Sequence, residues 1–176
     1  MGAISFTDID ATVGGSTANS YGTLDELKAY FSNRSEASDL LAESDSVIIA
    51  RMIQATLIND TVLKAYGAIA SQEQSLEFPR KDLYDKHGRY YADVIIPEKI
   101  KYAEFEQALY LYVNDISVPS ILTQGFREAR LDVMQIKLDK DFVPKKLSYD
   151  AIDFLELFGE VTLANTNMTQ VQVIRY

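Results

Sequence analysis

The chain of 176 residues contains no cysteine, no tryptophan and a single histidine, His87. Without cysteine, thiol nucleophiles, cysteine-ligated zinc and disulfides are all excluded. A lone histidine has no second histidine with which to share a metal ion or a proton relay. His87 follows Lys86 in a polar segment, so we predict a solvated turn residue at this position.

The motifs of common enzyme classes are missing as well. The sequence has no Gly-x-x-x-x-Gly-Lys-Ser/Thr loop, no Gly-x-Gly-x-x-Gly and no Gly-x-Ser-x-Gly. Acidic residues cluster at Asp8 with Asp10, at Asp39 with Glu43 and Asp45, and at Asp139 with Asp141. None of these clusters has the spacing of a calcium-binding EF-hand loop. We therefore expect solvated acidic faces, no metal, no cofactor and no enzymatic activity.

Long hydrophobic runs are also lacking. No stretch of about 18 apolar residues is present, so no membrane-spanning helix is predicted. The segment 1–6 has neither the basic start nor the apolar core of a signal peptide. We expect synthesis in the cytoplasm and no membrane partner.

Positive charge is in the minority, with 17 basic against 26 acidic side chains and a net charge of −9. Nucleic-acid affinity comes largely from cations that neutralise phosphates, so this balance argues against a surface built for that purpose. It does not exclude a protein past which DNA slides, because weak repulsion is useful there. The length is sufficient for one domain to bury a core without disulfides or metals.

The chain divides into three segments. Residues 1–22 hold four of the eight glycines and no basic residue, which predicts a flexible N-terminal arm, either frayed or ordered on a neighbour. Residues 23–115 form a predicted helical core. Residues 116–176 form a predicted extension of strands and one short helix, used for docking. The expected fold class is mainly α: a small helical bundle with a long pinned loop and a small α+β extension.

Two helices are predicted before the loop. Thr23–Glu26 reads as a capping box that opens a helix to about Arg34. A second helix is predicted over about 46–65. Its inward stripe is expected to comprise Ile49, Met52, Ile53, Thr56 and Leu57, with Gln54 and Asn59 off that stripe.

The loop and the helix after it occupy residues 76–114. Phe78 must be extended because it precedes Pro79, and Asp85–Gly88 predicts a tight turn with positive φ at Gly88. Tyr90, Tyr91 and Val94 are expected to lay the loop over the bundle. Pro97 suits a first helical position, and 99–114 is apolar on two faces. A helix of this kind is buried on two faces, within its own bundle or partly against another subunit.

The predicted C-terminal extension contains two strands and a helix. Alternation over 131–138 predicts a strand, with a phase slip at Met134-Gln135 that fits a bulge. Ser148 is expected to cap a helix over 149–158 closed by Gly159, and 171–176 predicts a final strand. A sheet of two strands alone has marginal stability in water, so the strand edges favour pairing with a neighbouring chain.

Cations and rings interleave in the loop, as they do in single-strand binders. The residues are Arg80-Lys81, Lys86 and Arg89-Tyr90-Tyr91, diluted by Asp82, Asp85 and Asp93. Arg80, Lys81 and Arg89 are therefore candidate nucleic-acid contacts. The competing interpretation, favoured by the acidic balance, is that the tyrosines pack the loop onto the bundle.

Several motifs resemble those of tailed-phage head–tail connector (adaptor) proteins, which share sequence with proteins called DnaT-like single-stranded-DNA-binding proteins. The motifs are Ile53-Gln54-Ala55-Thr56, Phe78-Pro79-Arg80, Asp85-x-x-Gly88 and Ile96-Pro97-x-x-Ile100-Lys101-x-Ala103-x-x-Glu106-x-Ala108. The resemblance covers about residues 20–114. This chain has Phe78 where the family often has tryptophan, and Glu128–Leu131 where a Gly-Pro-Leu approach is usual.

This resemblance implies a structural subunit of the virion neck, made in the host cytoplasm. Such subunits form a ring, expected to be twelvefold, that docks on the portal protein and joins the tail or the next neck protein, with DNA passing through the lumen. The expected portal or subunit interface comprises Tyr102, Tyr112, Leu131, Val133, Ile136, Leu138, Val171, Val173, Arg175 and Tyr176. The alternative is a single-stranded-DNA-binding replication protein.

Overall fold

The computed structural model describes residues 8–114 and 147–162, together with the backbone of two strands between them, Glu128–Leu131 and Met134–Lys137. The chain separates into two units. The helical unit comprises 1–114 and 147–162, and the second unit comprises 115–146 and 163–176. Residues 147–162 therefore belong with the helical core rather than with the C-terminal extension to which we assigned them.

The described part of the helical unit confirms a mainly α fold with small β elements. Its helices are α1 (Leu24–Phe31), a 3₁₀ turn (Ser35–Ala37), α2 (Ser38–Leu41), α3 (Asp45–Val62), α4 (Glu98–Val113) and α5 (Tyr149–Leu155). Its strands are β1 (Leu63–Ala65), β2 (Ala68–Ile69), β3 (Arg80–Lys81), β4 (Leu83–Tyr84), β5 (Tyr90–Tyr91) and, after the two strands of the second unit, β8 (Gly159–Val161). Antiparallel pairs join β1 to β8, β2 to β3 and β4 to β5. Within the described residues, no helix is long and apolar enough to cross a membrane.

Local signals set the helix starts. Thr23 accepts a hydrogen bond from the Glu26 backbone N–H, and the Glu26 carboxylate accepts one from the Thr23 N–H, which confirms the capping box. Pro97 lies at the N-cap, one residue before the predicted position, with ψ of 134°. The side chain of Ser148 makes no capping hydrogen bond, contrary to our expectation.

Tertiary pairing sets two helix ends. Helix α3 stops at Val62, not at about 65, because Leu63–Ala65 pair with β8 in the register Leu63↔Val161. Helix α5 ends at Leu155, and Gly159 begins a strand instead of closing the helix. A Cβ at Gly159 would lie 2.4 Å from the Lys64 carbonyl oxygen, so glycine permits the close strand approach.

Helix α4 is buried on two faces, as its sequence predicts. It packs against α3 on one side and α5 on another. Its buried residues are Ile100, Ala103, Glu104, Phe105, Glu106, Gln107, Ala108, Leu109 and Leu111. Around its first half, Tyr21, Phe78, Ala151 and Phe158 complete a continuous apolar cluster. The apolar core therefore contains residues of the arm, the loop, α4 and α5.

The buried face of α3 includes Ile49, Met52 and Thr56 as predicted, but it differs from the predicted stripe at Leu57 and Asn59. Leu57 is 69% exposed, whereas Asn59 is 1% exposed and its amide has no hydrogen-bond partner among the described residues. The stripe that faces the bundle runs through Ile48, Met52, Ala55 and Asn59, at helical spacings of three and four. Because this stripe includes the polar Asn59, it was less apparent in the sequence than the stripe through Leu57.

The predicted bulged strand is a hairpin. In the second unit, β6 (Glu128–Leu131) and β7 (Met134–Lys137) pair antiparallel, with Leu131 opposite Met134. The position of the predicted bulge, Met134-Gln135, is therefore the start of β7, which runs antiparallel to β6. Leu131 and Ile136 lie in these strands. Val133, Leu138 and the predicted strand 171–176 lie outside the described residues.

Gly67 and Gly88 allow a matched test of loop packing. Both have positive φ, but a Cβ at Gly67 would lie 2.3 Å from the Lys81 carbonyl oxygen, whereas a Cβ at Gly88 meets nothing within 4 Å. Gly88→Ala should cost roughly 1–2 kcal/mol through backbone strain alone. Gly67→Ala should cost clearly more, as measured by urea unfolding. Equal losses of unfolding free energy in the two variants would contradict the close packing of the loop at Gly67.

Candidate functional site

Arg80, a predicted nucleic-acid contact, is part of the loop's internal structure. The Phe78–Pro79 peptide bond is cis, and the Phe78 ring lies 5.9 Å from Tyr21 and 6.3 Å from Phe158 between ring centroids. Arg80 is 8% exposed and donates to the carbonyls of Tyr66 at 2.7 Å and Gly67 at 3.1 Å. Its guanidinium also donates to the Glu77 carboxylate at 2.6 Å. These contacts leave Arg80 unavailable to a phosphate.

The turn after β4 is organised by Asp85, whose side chain is completely buried. Its carboxylate accepts from the backbone N–H groups of His87 and Arg89, both at 2.9 Å, and from Arg89 Nε at 2.7 Å. Burial raises the pKa of Asp85, but the hydrogen bonds from Arg89 and His87 outweigh it and hold that pKa below its usual value. Gly88 has φ of 78°, which confirms the predicted turn.

The remaining loop cations stay accessible. The Arg89 side chain is 67% exposed although its Nε is used, and Lys81 and Lys86 are exposed. The Lys86 backbone N–H donates to the Leu157 carbonyl at 2.8 Å, which fixes the turn against the segment after α5. Of the three predicted nucleic-acid contacts, the structure keeps two on the surface and buries one.

The outer side of the loop carries an apolar surface. Its members, which we call the loop-end surface, are Val13, Tyr84, Tyr90 and Val94, each between 49% and 75% exposed. Val13 and Val94 line a shallow cleft of about 280 Å³ together with Ala70 and Asp93. Tyr90 donates to Asp93 at 3.3 Å and lies 5.4 Å from the Tyr84 ring, so these side chains are neighbours.

Two of the three residues expected to lay the loop on the bundle do not do so. Tyr91 is half-buried, and its ring lies 5.4 Å from that of Phe158. Tyr90 and Val94 face solvent instead. The apolar pattern of the loop had no period from which to tell inner from outer residues, so this part of the prediction was wrong.

Carboxylates accompany the cations around the loop-end surface. Asp93 raises the pKa of Tyr90, and Asp82 contributes in the same direction. Lys81 lines the same cleft as Asp93, and Arg89 donates its Nε hydrogen to Asp85. A ring pair of this kind can stack on bases, but the local charge offers limited attraction for phosphates.

A second cleft of about 460 Å³ lies between α1 and α4. It is lined by Glu26, Ala29, Tyr30, Ile96, Glu98, Lys101, Tyr102 and Phe105. The rings of Tyr30 and Tyr102 lie 4.6 Å apart, and Tyr102 donates to Glu98 at 2.7 Å. Tyr112, further along α4, donates to Glu43 at 2.9 Å. Both predicted interface tyrosines thus make contacts within the chain, and a contact with a neighbouring chain stays a prediction.

Buried carboxylates form the group of residues that sequence reasoning missed. Glu106 is paired with Arg34 and accepts from the Tyr30 hydroxyl at 2.6 Å. Asp60 accepts from the Tyr21 hydroxyl at 2.5 Å, and burial raises the pKa of Asp60 to about 6. Glu104 is completely buried. The available signal was the presence of Glu104 and Glu106 in the middle of a helix that is apolar nearly all round.

Among the described residues, no three His, Cys, Asp or Glu side chains are grouped so as to hold a metal ion. The fold and its surfaces define a mainly α-helical domain whose candidate sites are open surfaces and clefts. The chain belongs to the family described as "Putative DnaT-like ssDNA binding protein", whose family model matches residues 8–176. No curated protein and no solved structure matches it.

Replacing Arg80 separates its structural role from a role in binding. Arg80→Ala leaves the carbonyls of Tyr66 and Gly67 without their donor, and should lower the free energy of unfolding by roughly 2–3 kcal/mol. Lys81→Ala, one residue along and exposed, should change it by less than about 0.5 kcal/mol. Urea unfolding of both variants measures the difference, and an Arg80→Ala variant as stable as Lys81→Ala would refute the structural role.

Proposed function

We propose that this protein is a structural, non-enzymatic head–tail connector of a tailed phage, which forms a ring in the virion neck. The observation that carries the proposal is the loop-end surface, four neighbouring apolar side chains that are exposed on a chain with net charge −9. Exposed apolar surface of this kind favours a protein partner. The motif resemblance to connector proteins supports the choice of partner.

The motif residues contribute the scaffold on which that surface is presented. Phe78 and Arg80 anchor the loop, and Asp85 with Gly88 shapes its hairpin. Ile100, Ala103 and Ala108 lie in the buried faces of α4. Since these positions are internal, the resemblance to connectors concerns a shared architecture, and the partner-specific residues are the exposed ones.

The assembly expected from this function is a twelvefold ring. Its partners would be the portal protein on one side and the tail or the next neck protein on the other. DNA would pass through the lumen without sequence-specific contacts, for which an acidic chain is suited. Docking by the segment containing Val171, Val173, Arg175 and Tyr176 is part of the same proposal.

A single-stranded-DNA-binding replication protein is the second candidate. The description of the family favours it over the connector. A specific feature also supports it, since the exposed rings of Tyr84 and Tyr90 lie 5.4 Å apart on a hairpin that carries Lys86 and Arg89. The burial of Arg80, the carboxylates Asp82 and Asp93 and the net charge weigh against it.

A charge placed on the loop-end surface tests the connector proposal. Val94→Glu should abolish or strongly weaken assembly with portal particles, seen by electron microscopy of the mixed components, because it buries a carboxylate at the apolar contact. Leu57→Glu is the matched control, since Leu57 is 69% exposed on α3, outside this surface, against 75% for Val94. Loss of assembly in both variants, or in neither, would contradict docking by this surface.

Fluorescence anisotropy with an oligothymidine strand tests the second candidate. If Lys81, Lys86 and Arg89 neutralise about three phosphates, affinity should fall roughly tenfold or more between about 50 and about 200 mM salt. Tyr90→Ala should weaken binding further through lost stacking. Under the connector proposal, no saturable binding is expected at either salt concentration. Tight binding that is lost in Tyr90→Ala would favour the replication protein.

A further inference from the structure

Glu104 of α4 holds the N-terminal arm through hydrogen bonds to three successive residues. Its Oε2 accepts from the backbone N–H of Tyr21 at 2.9 Å and from that of Gly22 at 3.0 Å. Its Oε1 is hydrogen-bonded to Ser20 Oγ. Glu104 is 0% exposed and Ser20 is 1% exposed, so water cannot replace these bonds.

The number of protons at Ser20 decides the charge of Glu104. A serine hydroxyl has one proton to donate, yet Ser20 Oγ contacts two oxygens, Glu104 Oε1 and the Gly22 carbonyl oxygen, the latter at 2.7 Å. If Glu104 were ionised, only one of these two contacts would contain a proton. If Glu104 is protonated, its O–H donates to Ser20 Oγ while the hydroxyl donates to Gly22, and every contact is satisfied.

We propose that Glu104 carries a proton in the folded chain and that this proton latches the arm segment 20–22 onto helix α4. Removing the proton leaves a buried negative charge and one unsatisfied oxygen contact, which weakens the attachment of the arm. The latch is therefore a pH-sensitive device that couples arm docking to the core. It does not depend on the connector function proposed above.

The groups that face Glu104 are consistent with a neutral acid. The arm contributes Ser20, Tyr21 and Gly22, and α3 contributes the neutral Thr56, with Asp60 beyond it bonded to the Tyr21 hydroxyl. Glu104 makes no ion pair with a described residue. Burial raises the pKa of Glu104 to about 8, although the hydrogen-bond contacts with Ser20, Gly22, Tyr21 and Thr56 act in the opposite direction.

The sign of the pH effect follows from the raised pKa. The unfolded chain releases the proton near the usual value of 4.5, whereas the folded chain keeps it to about pH 8. The contribution of Glu104 to stability is thus fully present below 4.5 and is lost as the pH rises towards 8. Asp60 is the other buried acid with a raised pKa near the arm, to about 6, and it is present in every variant described below.

Glu104→Gln is a close mimic of the protonated acid, because its amide can donate to Ser20 and accept from Tyr21 and Gly22. Urea unfolding of the wild type and of Glu104→Gln should be compared from about pH 5 to about pH 9. The ratio of their unfolding constants, wild type over variant, should rise roughly tenfold per pH unit and level off above about pH 8. Titration of Asp60 is common to both chains and cancels in the ratio.

Two further measurements keep the inference testable. A ¹³C titration of glutamate-labelled wild type should show one side-chain carboxyl with a midpoint near 8 that is absent in Glu104→Gln. Glu106→Gln is the matched control on α4, since it removes a carboxylate paired with Arg34. The ratio of unfolding constants, wild type over Glu106→Gln, should not show the tenfold rise. A flat ratio for Glu104→Gln, or no carboxyl titrating above about pH 6.5, would overturn the proposal even if the variant folds poorly.

Discussion

The burial of α4 on two faces is the constraint on which the rest of the helical unit depends. Polar groups inside a protein must be hydrogen-bonded, because an unpaired one costs a few kilocalories per mole. Glu104, Glu106 and Gln107 are all buried on this helix. Each needs a partner from elsewhere in the chain, and each partner belongs to a different segment.

Those partners determine how three segments attach to the core. Glu104 binds the backbone of the arm, and Glu106 binds Arg34 and Tyr30 at the end of α1 and just after it. Gln107 accepts from the Ser148 backbone N–H at 2.9 Å, immediately before α5. A single helix therefore specifies, through the polar contacts of three of its residues, the positions of the chain before it and after it. Apolar packing alone would not select these positions, because it is not directional.

The loop follows the opposite arrangement, in which polar groups are satisfied internally and apolar ones are left outside. Arg80 and Asp85 use buried charged groups to hold backbone atoms of the loop. The outward positions are then free to carry Tyr84, Tyr90 and Val94. This distribution buries Arg80 and leaves Lys81, Lys86 and Arg89 as the exposed cations of the loop. It also leaves an apolar surface exposed at the loop, which our proposal assigns to a protein partner.

The sequence by itself determined the features that depend on neighbouring residues. These include the capping box at Thr23, the turn at Asp85–Gly88 and the two apolar faces of α4, because capping, positive φ and helical period are all local properties. It also excluded thiol chemistry, since no cysteine is present.

Only the tertiary structure decided which side of the loop faces solvent, where α3 ends, and what α4's glutamates bind. Tyr90 and Tyr91 are adjacent and chemically identical, yet only Tyr91 reaches Phe158. Arg80 and Arg89 are equivalent in sequence terms, yet one is buried by carbonyls brought from 13 and 14 residues away. Glu104 meets the arm across 82 to 84 residues. Such contacts depend on the spatial path of the whole chain, which no local pattern contains.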